Sequence, residues 1–392
     1  MYKILTLNNI SVQGLRRLPR ERYEVASEIA HPDAVLVRSF NMHDLDIPKT
    51  VAAIGRAGAG TNNIPIEAMS ARGVPVFNAP GANANAVKEL VIAGMLLAAR
   101  NLCGAQQYVK TLKETGEALN EAVEAGKKQF VGFELPGKRL GVIGLGAIGV
   151  EVANAALALG MKVVGFDPSI TVRNAWQLSS GVEQAETLDQ LFQRADFVTC
   201  HVPLAEATRA LVNAARLALM NDRSVLINFA RGGVVDDAAA LAALDKGRLY
   251  AFVTDFPTPE TIAHPKVIAL PHLGASTAEA EDNCAIMVAD NVRDYLENGN
   301  IRYSVNFPEA RLPRLDAWRI TVANANVPNM VGQISTHIAN DGLNIEDLLN
   351  KSVGQLAYTI VDVNQEPSEE LLARIRAIDG VLTLRNLGKP VA

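Results

Sequence analysis

The sequence predicts a mixed α/β protein in three parts: a doubly wound parallel sheet inserted into a second, flavodoxin-like α/β domain, then a ferredoxin-like β-α-β-β-α-β module. Three observations predict it. Short β-branched runs alternate with turn residues and helical stretches over residues 2–101, and again over residues 138–272. Long helix patterns flank the second stretch, one starting near Asn85 and one over residues 276–298, so the chain leaves the first domain and returns to it. After a segment with two prolines, residues 307–315, four strand patterns and two helix patterns follow in β-α-β-β-α-β order.

A chain of 392 residues exceeds one ordinary core, so two or three domains are expected. The boundaries read as 1–100 with 276–306, 101–275, and 316–392, with 307–315 as linker. The first domain carries the strand patterns KILTLNNI, YEVASEI, AVLVRSF, VAAIGRAG and VPVFNAP, with a helix over residues 65–72. In the helix near Asn85, the positions Val87, Leu90, Val91, Gly94, Met95 and Ala98 follow a 3.6-residue period, and Asn85 is a candidate cap. The second domain shows six strand patterns: RLGVIG, KVVGFD, FVTCHV, SVLINFA, YAFVTDF and VIALPH.

Composition excludes several classes. A net charge of −5, from 37 basic and 42 acidic residues, argues against nucleic acid, whose binders present a basic face. The longest apolar stretch, residues 90–99, is far short of a membrane span. The first residues read as a strand and not as a signal peptide. Cys103, Cys200 and Cys284 are widely spaced, with no metal pattern and no disulfide framework, which fits a reducing, cytoplasmic setting.

The sharpest motif is Gly144-Leu145-Gly146-Ala147-Ile148-Gly149, between a strand pattern and a helix pattern. The first glycine suits a tight turn, the second a close approach of backbone amides to a pyrophosphate, and the third close helix–strand packing; the helix N-terminus adds positive partial charge. A second strand ends at Asp167, whose carboxylate suits the ribose hydroxyls of NAD and would repel the 2′-phosphate of NADP. The bland alternative is a structural glycine turn with Asp167 as a helix cap. The complete strand–turn–helix–strand context favours a Rossmann NAD domain.

Reduction of a 2-keto acid requires a clamp for the carboxylate, polarisation of the keto oxygen and a proton donor. Three residues at or near strand ends suit these tasks: Arg231 in Asn228-Phe-Ala-Arg-Gly-Gly, Glu260 after Thr254-Asp255-Phe-Pro, and His272 in Pro-His-Leu-Gly274. Taken singly, each is equally a surface or turn residue.

In this order, and with the glycine motif before them, these segments resemble the D-isomer-specific 2-hydroxyacid dehydrogenases, and within them the branch that oxidises phosphoglycerate; the resemblance covers essentially the whole chain. It implies that Arg231 binds the substrate carboxylate and keto oxygen, that His272 is the general acid/base, and that Glu260 pairs with it. It places Asp255 near the nicotinamide, and His201, Pro203, Ala230, Gly274 and His272 along the cofactor. The family usually has one residue between the Asp and the Phe, whereas Asp255 directly precedes Phe256. Alignment on the acids gives Glu260, and alignment on the Phe leaves Pro259 in its place.

On the substrate side the resemblance points to Ala59 and Gly60 as amide donors, to Arg38 and Ser39 as phosphate contacts, and to Asn83 as a further polar contact. It implies NAD-dependent oxidation of 3-phospho-D-glycerate to 3-phosphohydroxypyruvate, the entry to serine synthesis, in a homodimer or homotetramer. The C-terminal module resembles an ACT domain. Asn326 and Asn344 fall where two serine-binding asparagines lie, Asn324 stands for a histidine, and Asn329 for a glycine. L-serine feedback is one expectation, and a purely assembly-related module or helix capping by Asn329 the other. Two further readings stay open: a dehydrogenase for another 2-hydroxy acid, and an NAD-sensing binding protein.

Overall fold

The computed structural model describes residues 1–390. It comprises two compact units: residues 1–82 together with the chain from Glu281 onward, and residues 83–280.

In the first unit, β1 (Tyr2–Leu7), β2 (Tyr23–Ala26), β3 (Ala34–Val37), β4 (Ala53–Arg56) and β5 (Val76–Phe77) form a parallel sheet in the order β2-β1-β3-β4-β5. All four residues of β3 are buried, as a strand covered on both faces requires. The winding reverses between β1 and β3, so their C-terminal ends flank the switch point where open α/β sheets bind ligands.

The second unit holds seven parallel strands: β6 (Arg139–Ile143), β7 (Lys162–Phe166), β8 (Val182–Gln184), β9 (Phe197–Cys200), β10 (Ser224–Asn228), β11 (Leu249–Thr254) and β12 (Val267–Ala269). Their order is β12-β11-β10-β9-β6-β7-β8, a doubly wound sheet that reverses between β6 and β9. The sequence reading found six; β8 was missed because three edge residues, two of them exposed, carry no apolar pattern. The helix Ala84–Ala99 belongs to this unit and not to the first. Its Val87, Val91, Met95 and Ala98 pack in one cluster with Leu140, Val142 and Val150. Asn85 does not cap it: Asn83 holds the cap position without a side-chain bond, and Asn85 bonds Glu89 instead.

In the C-terminal module, β13 (Trp318–Ala325), β14 (Ile345–Val353), β15 (Leu356–Val363) and β16 (Val381–Gly388) form an antiparallel sheet in the order β14-β15-β13-β16. Alternation along the strands sends Ile320, Val322, Val361 and Val363 into a cluster with the helices Met330–Asn340 and Glu369–Arg376. Ala323, Tyr358 and Ile360 point the other way, into a cluster with Ile4, Tyr23, Tyr295 and Phe307. The sheet is therefore buried on both faces, and the module shares the core of the first unit.

The segment read as a linker is part of that core. Phe307, Ala310 and Leu312 are buried, and Ala310 pairs with Ile301. Polar side chains complete the junction. Arg385 donates to the carbonyls of Tyr295 and Leu296 at 2.9 and 2.8 Å, and Tyr358 Oη to that of Gly299 at 2.8 Å. These carbonyls lie at and just beyond the C-terminus of the helix Ala278–Asn298, where Gly299 N–H also donates to Tyr295 O and Tyr2 Oη to Leu296 O. Arg319, wholly buried, donates to both carboxylate oxygens of Asp362 at 2.6 Å and to the carbonyls of Asn298, Leu312 and Pro313.

Removing one partner of such a pair strands a buried charge, so Asp362→Ala is expected to lower stability by about 3–5 kcal/mol. The check is the guanidinium midpoint of Asp362→Ala against the double substitution Arg319→Met/Asp362→Leu, which strands no charge and loses less.

Candidate active site

The glycine turn leaves the C-terminal end of β6. Gly144 adopts φ +89°, and its N–H donates to Phe166 O at 2.9 Å. A Cβ on Gly149 would lie 1.9 Å from Gly144 O, so the helix Ala147–Ala158 approaches the turn as closely as only glycine permits. A Cβ on Gly146 would meet nothing within 4 Å, which leaves open space above the helix N-terminus. Ala147 is exposed there and Ile148 half-buried. Asp167 follows β7; its Oδ2 accepts from Leu145 N–H and its Oδ1 from Ser169 N–H, both at 2.8 Å. The carboxylate thus holds the glycine turn. Open backbone amides at a helix start beside a strand-end carboxylate fit the pyrophosphate and ribose of NAD.

His201 and Pro203 follow β9. His201 Nε2 lies 3.0 Å from Thr199 Oγ1, its Nδ1 is buried without a partner, and burial pushes the ring down to about 3, so it is neutral at ordinary pH. Burial also pushes the neighbouring Cys200 thiol up to about 12. Asn228, at the end of β10, clamps the next turn: it accepts from Ala230 N–H at 3.2 Å and donates to Arg231 O at 2.9 Å. Arg231 is exposed, with Nη1 2.7 Å from Ala230 O.

Asp255, 1% exposed at the end of β11, accepts from Gly274 N–H at 3.0 Å and thereby fixes the His272 loop. Its other oxygen is buried without a partner. Burial raises this carboxyl above its ordinary range, opposed by the Gly274 N–H and by the charge of His272. The His272 ring packs on Phe256 with centroids 4.7 Å apart. Glu260 departs from expectation. Thr258 caps a short helix, Pro259–Ala263, that places Glu260 exposed in its first turn. Among the described residues no hydrogen bond or ion pair joins Glu260 to His272. The carboxyl that Glu260 reaches is Asp237, raised by burial, then by Asp236 and Glu260. Asn83, in this same unit, has its Oδ1 buried without a partner.

The remaining candidates lie in the first unit. Arg38 and Ser39 follow β3, and Ala59 and Gly60 follow β4. Asn78 Nδ2 donates to Ala59 O at 2.7 Å, and among the described residues the N–H groups of Ala59 and Gly60 have no protein acceptor, as an anion-binding turn requires. In the C-terminal module, Asn324 is fully buried and donates to Ala325 O, which removes it from any effector surface. Asn326 bonds Gly354 O at one end of β14, while Asn344 precedes the other end. A nine-residue strand puts them roughly 25–30 Å apart, so one chain does not bring them together. Asn329 makes no cap bond; it sits at φ +64°, the conformation that explains glycine there in the resembling family.

Sequence reading missed the side chains that hold the turns: Asn228, Asn78 and the structural role of Asp167. Their signal was an amide or carboxylate at a strand end beside a glycine-rich turn.

These features define a nicotinamide-dinucleotide oxidoreductase of the doubly wound class. A family model described as D-isomer specific 2-hydroxyacid dehydrogenase, NAD binding domain, matches residues 92–274. D-3-phosphoglycerate dehydrogenase of Methanocaldococcus jannaschii is 33% identical over 381 residues, 93% of this chain and 69% of the relative. That of Haemophilus influenzae is 35% identical over 355 residues, 87% of this chain and 82% of the relative. The apo crystal structure of Rhodotorula graminis D-mandelate dehydrogenase shares the fold, with TM-score 0.66 and 22% identity over 80% of this chain and 99% of that one. The chain belongs to the D-isomer-specific 2-hydroxyacid dehydrogenase family. No helix among the described residues is long and apolar enough to cross a membrane, and no cluster there suits a metal ion.

Two tests follow from the geometry. Asp167→Ala loses a turn anchor and the carboxylate, so NADH binding is expected to weaken about tenfold or more, and NADPH binding less, in fluorescence titrations. His201 stays neutral when folded down to about 3, whereas the unfolded chain takes up a proton below about 6.5. The stability this residue contributes is full above 6.5 and falls with pH toward 3, by up to about 1.4 kcal/mol per unit. His201→Gln should flatten that part of the denaturation-versus-pH curve.

Proposed function

We propose that the protein oxidises 3-phospho-D-glycerate to 3-phosphohydroxypyruvate with NAD, and reduces the keto acid in the reverse direction. The observation that carries this reading is the pairing of the NAD-type turn with Arg231 and His272 in a chain whose relatives bear that activity over most of their length.

Bound NAD supplies the hydride acceptor. The chain's own residues do the rest. Arg231, on a turn held by Asn228, binds the substrate carboxylate and draws charge from the carbonyl oxygen as it forms. His272 takes the hydroxyl proton at a ring nitrogen in oxidation and returns it in reduction. Asp255 fixes the loop that carries His272 through the Gly274 N–H, and so positions the ring that moves the proton. The amides of Ala59 and Gly60 hold the carboxylate end, and Arg38 and Ser39 the phosphate, with Asn83 as a further contact. The setting is cytoplasmic, and the working form is a homodimer or homotetramer. Asn326 and Asn344 recognise an amino-acid effector such as L-serine only if two chains each supply one of them.

The test follows NADH absorbance with phosphohydroxypyruvate and, in parallel, other 2-keto acids. Turnover is expected with the phosphorylated substrate, and His272→Ala should reduce kcat at least a hundredfold while NADH still binds. Activity confined to an unphosphorylated keto acid would move the substrate and keep the mechanism. No turnover alongside tight NADH binding would sink the enzyme reading.

A further inference from the structure

Arg38 is already engaged. Its guanidinium forms an ion pair with Glu281, the fourth residue of the helix Ala278–Asn298. The backbone that presents Arg38 is fixed. Asn8 Oδ1, at the end of β1, accepts from the N–H groups of Ser39 and Phe40 at 3.1 and 2.6 Å. Asn63 Nδ2 donates to Phe40 O at 2.7 Å and to Arg38 O at 3.4 Å. The segment is thus pinned at the switch point between β1 and β3, where a parallel sheet receives its ligand.

A second guanidinium stands close by. Arg56, at the end of β4, lies against Gly58, where a Cβ would sit 1.7 Å from its Nη1. Cys284, one helical turn beyond Glu281, is raised by burial and feels the charges of Arg56, Arg38 and Glu281 together. Two cations and one carboxylate therefore converge at the mouth of this sheet, around a buried thiol. The Arg38 and Glu281 side chains are 40% and 43% exposed, so an anion can reach them from solvent.

We propose that Glu281 is the internal counter-anion of the phosphate subsite: it holds Arg38 until the substrate's phosphate displaces it, and so tempers the preference that Arg38 confers for phosphorylated over unphosphorylated acids. The proposal rests on the function assigned above. A phosphate carries close to two negative charges and three acceptor oxygens, and it outcompetes one carboxylate for a guanidinium. A half-exposed ion pair is weak enough for the exchange to be cheap. The released Glu281 stays near the helix N-terminus, where the backbone amides favour its charge. An unphosphorylated acid offers nothing to exchange, leaves the pair closed and gains no binding from Arg38.

The experiment compares the full-length protein with Glu281→Gln, Arg38→Gln and the double variant. KM is measured for phosphohydroxypyruvate and for hydroxypyruvate with NADH, and the thermal shift with inorganic phosphate. Glu281→Gln is expected to lower KM for phosphohydroxypyruvate relative to hydroxypyruvate by about two- to fivefold, and to shift stabilisation by phosphate to lower concentration by the same factor. Arg38→Gln should raise that relative KM by about tenfold or more and abolish the phosphate shift. In the double variant the gain from Glu281→Gln should vanish, because its partner is gone.

A relative KM that rises in Glu281→Gln would make the carboxylate a support for Arg38 and overturn the proposal. So would an unchanged value, or a gain that persists without Arg38. Phosphate stabilisation that depends on Arg38 and sharpens in Glu281→Gln, in a protein that fails to turn over phosphohydroxypyruvate, would defeat the substrate assignment and leave the counter-anion standing.

Discussion

The first unit depends on one fully satisfied cation. Arg319 places all five of its N–H donors: two on Asp362, and three on the carbonyls of Asn298, Leu312 and Pro313. Three stretches of chain meet at that guanidinium: the C-terminal sheet, the end of the long helix and the proline segment. A buried charge is tolerable only with such complete pairing, and the requirement fixes where each stretch must lie. Arg385 and Tyr358 add donors to the carbonyls of Tyr295, Leu296 and Gly299, so the helix finishes against the C-terminal module.

Both parallel sheets place their chemistry by the same device. Each reverses its winding once, and each carries its polar candidates on loops beyond the strand ends. Those loops are held partly by burial, through residues such as Ala57, Ala79, Leu145 and Phe229. They are held also by amide and carboxylate side chains at strand ends or in neighbouring loops: Asn8, Asn63 and Asn78 in one unit, and Asp167, Asn228 and Asp255 in the other. Each satisfies backbone groups that a turn leaves open, and so converts a flexible connection into a fixed one.

The fold was largely legible because its signals are periodic. Runs such as Ala34–Val37 and the 3.6-residue spacing from Val87 to Ala98 follow directly from burial. The failures have equally plain causes. The edge strand Val182–Gln184 pairs through its backbone and buries little. Phe307, Ala310 and Leu312 were hidden by neighbouring prolines, which signal a turn whether or not the turn is buried. At the site, Gly144 and Gly149 were readable because backbone geometry dictates them. The Glu260–His272 pairing was not, because a Thr-Pro helix start moved Glu260 to an exposed turn. Which long side chains meet across a site is set by packing that one-dimensional spacing does not encode.

A module whose sheet is sandwiched between its own helices and its host's core is not an interchangeable part. Ala323, Tyr358 and Ile360 serve two hydrophobic economies at once, so a recombination event that removed the segment would strip the lining from its neighbour. Its strands and the outer face of the first unit must therefore drift together over evolutionary time. In a lineage of this chain, a change at Tyr358 should be met by compensating changes around Tyr295 and Phe307, as happens inside a single core and not between tethered domains.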